Sequence, residues 1–513
     1  MSRPLKTSTK STSLLGKPDV HLGQIFSPAL KANLAKVLAQ IVGARYVLSK
    51  TEELAVYDSD GSTLVTSRPD LVVLPKTAEE VQTIVQACLK FNVPYIARGG
   101  GTGLSGGTLA LAGGVVIGLN RLDQILEIDS ANQCATVEVG VINAWLNRDV
   151  AQYGLFYAPD PSSQSACTIG GNIAENAGGI HCAKYGATMD HILALQMVLP
   201  DGSLTWLGSK HRRHSGINWV NLIVGSEGTL GIVTKAIVRL LPKPEAVQVY
   251  LAAFPSMTAA TQLVETLVQS SLMPAALEFM DAFTVKAVNE AFGVGFPEDC
   301  HALLLIELDG QADDLKKRHE ALIALLTQHN VTQVRIGKTE SERLALWKAR
   351  KGTVVAYGRY APAFYLHDCV IPRSKLTEVL TRIDEIAREH QLVMASVFHA
   401  GDGNLHPHIL FDPNDASDPT VLKRVMAGGD AIVRACLDAG GLLSGEHGIG
   451  IEKSAFMSEQ FSPDDLARMM AIKQALDPSG LANPAKIFPV RKSCGETKLM
   501  LTHHMLISRE LWV

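Results

Sequence analysis

The spacing of hydrophobic positions changes twice within residues 69–98, PDLVVLPKTAEEVQTIVQACLKFNVPYIAR. LVVL is an unbroken apolar run of strand length. Val81, Ile84, Val85, Cys88 and Leu89 then recur at helical spacing, and VPYIA returns as a strand. Thr77, with Glu80 three residues on, reads as a capping box for the helix. The stretch predicts a βαβ unit that runs into the loop RGGGTGLSGGT. Within it, GTGLSG (101–106) has the form G-x-G-x-x-G, and Asp123 follows about where a Rossmann ribose-binding acid would lie. A Rossmann loop must open a helix whose N-terminus holds the pyrophosphate. Here Gly106-Gly107 and Gly113-Gly114 bracket only TLALA, and VVIGLN, LDQILEID and CATVEVGV then read as strands. The pattern excludes the nicotinamide-type fold and leaves Asp123 as a turn residue.

Two more glycine-rich stretches follow, APDPSSQSACTIGGNIAENAGG (158–179) and VGSEGTLGIVT (224–234). Glycine opens backbone conformations closed to other residues and lets main-chain N–H groups approach an anion. One such loop alone reads better as a tight turn. Three in one half of the chain favour a long phosphate-bearing ligand gripped at several points. Prolines in LLPKPEAVQVYLAAF separate strand IVRLL from strand VQVYLAAF and mark a domain boundary. Beyond it, strands ALLLIELD, TQVRIG and AFYLHDCVI alternate with helices over 312–329 and 373–390. Two terminal helices follow, the last starting at Ser462-Pro463 and ending before Asp477. A chain of 513 residues exceeds one ordinary core, so two or more domains are expected.

Composition narrows the chemistry. A formal charge of −4 and the absence of a basic run with interleaved aromatics argue against nucleic-acid binding. The 8 cysteines are scattered, and none forms CxxC, which excludes zinc ribbons, thioredoxin-type redox and a built-in iron–sulfur relay. No apolar run reaches the roughly 18 residues that a membrane span needs. Residues 1–24 read as a flexible tail rather than an organelle-targeting peptide, and 490–513 as an apolar tail too short to span.

The densest chemistry lies in VFHAGDGNLHPHILF (397–411). AGDGN is turn chemistry between two strand-like runs, so a hairpin brings His399 near His406. LLSGEHGIGIEK sets Glu446 and His447 in a glycine-flanked loop. Two histidines and a carboxylate suit a divalent cation with open positions, zinc or manganese. Each histidine taken alone reads equally as a satisfied polar residue. His408 is a rival ligand, because strand alternation puts it on the face of His406. Arg350, beside Lys348 and Lys351 in LALWKARKG, reads on its own as an exposed helix cation.

Taken together, RGGGTGLSGGT, PDPSSQSACTIGGNIAENAGG, GSEGTLGIVT, FHAGDGNLHPHILFD, SGEHGIGIEK and LDPSGLANPAKIFP resemble the vanillyl-alcohol oxidase/p-cresol methylhydroxylase flavoprotein family, in its D-2-hydroxyacid dehydrogenase branch. The resemblance runs from about residue 25 to 489. It implies an α+β fold: a PCMH-type FAD-binding domain of two α+β subdomains (25–244), then a FAD-linked oxidase C-terminal cap domain ending in helices (245–489). FAD would be lined by Arg98, Gly99, Gly100, Gly101, Thr102, Gly103, Leu104, Ser105 and Gly106 of the first loop. From the second come Pro159, Asp160, Ser163, Thr168, Gly170, Gly171, Asn172, Glu175, Gly178 and Gly179, and from the third Glu227, Gly228, Gly231 and Ile232. Thr102 stands where some relatives carry a flavin-linked histidine, so the resemblance implies non-covalent FAD.

By the same resemblance His399, His406 and Glu446 are metal ligands, His447 is the catalytic base, and Asn404 and Arg350 bind substrate. The implied reaction takes a short 2-hydroxy acid to the 2-oxo acid, with hydride to the flavin. Members acting on 2-hydroxyglutarate carry a lysine where this chain reads Leu366-His367, which favours small monoacids such as glycolate or D-lactate. A 2-hydroxyglutarate-type dehydrogenase and a non-catalytic flavin-carrying subunit are the alternatives. With no relay in the chain, electrons leave to an external acceptor. That acceptor is an iron–sulfur partner subunit and then quinone, or equally quinone or a cytochrome directly. The implied location is cytoplasmic, with peripheral contact at the inner membrane.

Overall fold

The computed structural model describes residues 26–62, 65–211, 216–297, 299–415, 417–418 and 420–489; both tails and Cys494 lie outside them. The described chain forms two compact units. The first holds residues up to Ala177, Ala187–Pro242 and the stretch from Glu446, and the second holds Gly178–Gly186 and Lys243–Gly445.

In the first unit, Ser27 caps helix α1 (Pro28–Val42) and Pro28 occupies its first turn, where a missing N–H costs nothing. A four-stranded sheet follows in the order β1 (Val47–Leu48), β2 (Leu71–Val73), β4 (Val115–Gly118), β3 (Tyr95–Arg98). β2 and β3 both run parallel to β4, which lies between them. Helix α2 (Ala78–Phe91) makes the crossover. Val81, Ile84, Val85 and Cys88 are fully buried in one core with Leu34 and Leu38 of α1, and Leu89 packs at its edge. Capping is only half the expected box. Thr77 Oγ1 accepts the Glu80 N–H at 3.1 Å, but the Glu80 carboxylate takes the N–H of Lys76, one residue earlier. No helix follows the glycine loop, and the chain enters β4 as the hydrophobic pattern requires.

The second layer of this unit is an antiparallel sheet in the order β5 (Ile125–Asp129), β6 (Cys134–Glu138), β9 (Ile232–Arg239), β7 (Ile192–Val198), β8 (Leu204–Gly208). Short helix α3 (Ile169–Glu175) packs on its core through Ile169 and Ile173. The C-terminal helix Pro463–Leu476 starts at the Ser462 cap as its sequence indicates. After it the chain returns to β3. Tyr95 N–H donates to Leu481 O and Asn483 N–H to Tyr95 O, at 3.0 and 2.9 Å. These bonds tie residues 481–483 to β3.

The second unit is built on an antiparallel sheet. Its order is β13 (Gln333–Gly337), β10 (Ala246–Phe254), β12 (Ala302–Gly310), β11 (Ala276–Asp281), β16 (Val393–His399), β17 (Asn404–Leu405), β15 (Cys369–Val370). β16 also pairs with β18 (Pro407–Phe411), which pairs with β14 (Ala363–Leu366). AFYLHDCVI is therefore two strands rather than the single expected one. His367-Asp368 breaks it, and the halves pair with different partners. Helices α4 (Ala282–Phe292) and α5 (Glu340–Lys351) bury Val285, Val288, Leu346 and Ala349 with Val249, Leu251, Leu303 and Leu305 of the sheet. Gly178–Gly186 joins this unit through side chains: His181 meets Glu307 at 3.0 Å, and Lys184 and Tyr185 both bind Asp309.

Candidate functional site

In the first unit, the main-chain N–H groups of Gly99 through Ser105 have no hydrogen-bond acceptor among the described residues; that of Gly106 goes to Asp60. Ser105 is buried and its Oγ has no hydrogen-bond partner there. Gly100 is exposed and Gly99 and Gly101–Leu104 are half-buried, so these donors are open to an external acceptor. The loop has no room for side chains where it meets the second glycine stretch. A Cβ on Gly100 would lie 2.5 Å from the Ala166 carbonyl. Thr168 caps α3, accepting the Gly171 N–H at 3.2 Å, and Asn172 Oδ1 takes Asn143 Nδ2, which also bonds the Pro159 carbonyl. The Ser163 carbonyl closes the turn by accepting the N–H groups of Ala166 and Cys167. Arg98 lies against Gly101 of the loop. Its guanidinium donates to Ser59 O and Thr108 Oγ1 and braces the base of the loop. An array of unpaired N–H groups with a buried hydroxyl fits a diphosphate-bearing cofactor such as FAD.

The third glycine stretch behaves differently. Glu227 is buried at a φ of 52°, a left-handed conformation that costs a side-chain-bearing residue roughly 1 kcal/mol or more. Its carboxylate accepts the N–H of Ile449 at 2.7 Å and of Gly450 at 2.8 Å. Gly228 and Gly231 are also left-handed, and Ile232 opens β9. The Glu175 carboxyl stands beside Gly107 and Gly448, and a Cβ on Gly448 would overlap it. Burial, then the facing Glu227 charge, raises Glu175 well above the ordinary carboxyl range. Burial lowers Lys486 to about 8, against the pull of Glu227, Asp60 and Glu175. Its Nζ donates to Leu109 O and Asn483 Oδ1. Glu446 and His447 begin this unit's last segment, with His447 Nε2 3.9 Å from its neighbour's carboxylate.

In the second unit, the β16–β17 hairpin pairs His399 with Asn404 and sets the His399 and His406 rings 5.1 Å apart, nearly perpendicular. The expected approach of the two histidines is present. His399 is the last residue of its strand, as the hairpin reading places it. The chain kinks at His406 between β17 and β18, and this sends His408 elsewhere. His408 Nδ1 donates to the His406 carbonyl and its ring packs on Tyr357 and Phe364. It does not share the ligand face.

Arg350 corrects the reading of an exposed cation. It is 4% exposed and paired with Glu278 at 2.5 Å. The other oxygen of Glu278 meets His399 Nδ1 at 2.8 Å. β11 pairs with β16 so that Glu278 stands opposite His399, and one fully buried carboxylate thus engages both residues. An Nδ1–H held this way leaves Nε2 as the lone-pair atom, the arrangement of a metal-ligating histidine. Arg350 Nε and Asn404 Oδ1 are buried without hydrogen-bond partners among the described residues, as a polar ligand would require. Asp368 accepts Ser444 Oγ at 2.7 Å and Gly445 N–H at 3.1 Å, pinning the residues just before Glu446. The motifs did not disclose Glu278 or Asp368. The available signal was an acid inside each of two apolar strands, LEFM and LHDCV.

Comparison with known proteins accounts for both halves. Residues 69–208 match the family described as FAD binding domain, and 243–487 the one described as FAD linked oxidases, C-terminal domain. The chain is 41% identical over 474 residues to glycolate oxidase subunit GlcD of Escherichia coli K12, covering 92% of this chain and 94% of that protein. It is 37% identical to the Bacillus subtilis GlcD over 88% of this chain and 96% of the relative. Identity to the D-lactate dehydrogenase of Anaerostipes hadrus is 32%, over 85% and 91%. The fold matches that of p-cresol methylhydroxylase with a TM-score of 0.77 at 14% identity, covering 91% of this chain and 98% of that one. The 4-ethylphenol oxidase of Gulosibacter chungangensis gives 0.75 at 20%, over 91% and 99%. The chain belongs to the FAD-linked oxidase family, with a PCMH-type FAD-binding domain and a FAD-oxidase C-terminal domain, among the relatives of glycolate oxidase subunit GlcD and the D-lactate dehydrogenases.

Proposed function

We propose that this protein oxidises a short 2-hydroxy acid, glycolate or D-lactate, to the 2-oxo acid. The observation that carries the reading is the 41% identity to a glycolate oxidase subunit across nearly the whole of both chains. Bound FAD supplies the two-electron acceptor. The Gly99–Ser105 N–H groups and Ser105 Oγ are the groups that would hold its diphosphate. The proposed ligands of a divalent cation, zinc or manganese, are His399, His406 and Glu446, a set that rests on the sequence motifs. The Glu278–His399 bond supports it by holding the proton on Nδ1, so that Nε2 carries the lone pair. Such a cation supplies a Lewis acid that makes the substrate hydroxyl more acidic.

The protein's own residues then have distinct tasks. His447 accepts the hydroxyl proton, a general-base role that imidazole commonly serves. Arg350, whose Nε is an unpartnered donor, orients the substrate carboxylate, and Asn404 offers its unpartnered Oδ1 as an acceptor to a substrate O–H. Leu366-His367 offers no lysine for a second carboxylate, and His367 is fully buried, which favours monoacids over 2-hydroxyglutarate. Electrons leave for an external acceptor, an iron–sulfur partner subunit and then quinone. The word subunit in the relatives' names supports a partner of some kind. No helix among the described residues is long and apolar enough to cross a membrane. We place the protein in the cytoplasm with peripheral contact at the inner membrane, where quinone is held.

Turnover with an artificial dye acceptor tests the reading. Wild type yields the 2-oxo acid from glycolate or D-lactate, and His447→Ala loses at least about 10²-fold in kcat with FAD retained. A His447→Ala variant with wild-type turnover overturns the base assignment. Metal analysis beside His399→Ala/His406→Ala checks the cation separately. Equal metal content in the two proteins removes that site.

A further inference from the structure

We infer that Glu227 is a positioning residue for His447: its carboxylate sets the main chain of the 446–451 loop, rather than serving as a cofactor contact. The inference rests on the proposed role of His447 as base. Its grounds lie within the first unit. Glu227 Oε1 accepts the N–H groups of Ile449 and Gly450, and Oε2 accepts that of Gly450 again, at 2.7, 3.0 and 2.8 Å. Both oxygens are thus used by the loop that carries His447. Gly448 and Gly450 are both left-handed glycines, so this stretch has no side chains of its own there to brace it.

The other end of the loop is fastened to the glycine loop assigned to FAD. Ile451 N–H donates to Ser105 O at 2.9 Å, and Ile487 N–H to Gly450 O at 2.9 Å. Asn483 Nδ2 bonds both the Glu227 carbonyl and the Gly107 carbonyl, at 2.6 and 2.9 Å. Glu227 therefore sits in a closed circuit: glycine loop, Asn483, Glu227, the 449–450 main chain, and back through Ile451 to Ser105. That circuit holds the base-bearing loop in register with the diphosphate cradle. Its left-handed backbone is the strain expected where a position is over-determined by function. The groups around the carboxylate are Glu175, Asp60, Lys453 and Lys486, so its environment is mixed in sign.

Glu227→Gln keeps the size but offers one acceptor, and turns an NH₂ toward a main-chain N–H. The loop shifts, and misplacement of a catalytic group by about 1 Å costs on the order of 10²-fold. The test is rapid-mixing flavin reduction by substrate across pH, with FAD stoichiometry and substrate affinity measured on the same samples. Glu227→Gln is expected to bind one FAD, to bind substrate within about threefold of wild type, and to reduce its flavin about 10- to 100-fold more slowly. The acid limb of its pH profile should move, since that limb reports the base and its surroundings. Glu227→Asp, which keeps the carboxylate, should recover part of the rate.

Loss of FAD from variants that remain folded would make Glu227 a cofactor residue and overturn the inference. So would a wild-type rate and pH profile, or failure of both variants to accumulate in soluble form, which would make its role one of folding. If His447→Ala abolishes reduction while the Glu227 variants are unaffected, this inference alone fails. If His447→Ala reduces normally, the base assignment fails with it.

Discussion

At the scale of single residues, the most consequential one is absent from every motif. Glu278 lies 121 residues before His399 in the chain, and only the pairing of β11 with β16 makes them partners. No local pattern encodes such a register. The histidine pair was legible because AGDGN is a short turn. Arg350 was misread because its helix carries two lysines beside it, and burial of a cation depends on a partner supplied elsewhere. Glu278→Gln keeps an acceptor for His399 but removes the charge facing Arg350. Outer-shell partners of metal ligands are typically worth 10- to 100-fold in metal affinity. Titration of zinc or manganese into the FAD-loaded variant should show a loss of that size, with FAD content unchanged. Wild-type affinity would reduce Glu278 to a packing role. Leaving a guanidinium buried without its carboxylate should also cost about 3 kcal/mol, read as a lower thermal midpoint.

At the scale of elements, the apolar periods located the strands and helices, and tertiary partners decided where they break. AFYLHDCVI looks like one strand because its apolar content is continuous. Asp368 ends it by turning to Ser444 and Gly445, a contact that the local sequence cannot announce. Asp281 shows another such junction. It caps α4 through the Thr284 N–H and holds β16 through the Ser396 N–H, both at 2.7 Å. Burial raises its carboxyl to about 6.

The folded protein therefore keeps this proton between about pH 4 and 6, where the unfolded chain, with an ordinary aspartate near 3.9, has released it. Folded-state proton binding then exceeds unfolded-state binding, so this group's contribution to stability falls as pH rises through that window and is level above it. The drop is on the order of 2 kcal/mol. The thermal midpoint of wild type minus that of Asp281→Asn should fall between pH 4.5 and pH 7, because only wild type loses stability in that window. A constant difference between them would contradict the raised value.

At the scale of the whole molecule, two chemistries are carried by two compact units, and the chain passes between them at Ala177, Gly186, Pro242 and Gly445. The glycine loop proposed to hold the diphosphate belongs to the first and the His399–Glu278–Arg350 array to the second. The boundary near Pro242 was legible from its prolines. The return of the stretch after Glu446 to the first unit was not, because it depends on main-chain bonds between Tyr95 and residues 481–483. Glycine loops were legible because glycine is required wherever loops touch at backbone distance. Gly100→Ala should accordingly lower FAD content several-fold by displacing the Ala166 carbonyl, measured as flavin released per chain.

The central claim is that this chain passes electrons from a short 2-hydroxy acid to its own flavin. Anaerobic mixing of the purified, FAD-loaded protein with a panel of glycolate, D-lactate, L-lactate and D-2-hydroxyglutarate measures this directly. The account predicts that glycolate or D-lactate bleaches the oxidised-flavin band within turnover time, that D-2-hydroxyglutarate is slower, and that His447→Ala stays yellow. A flavin that dithionite reduces but no 2-hydroxy acid does would contradict it.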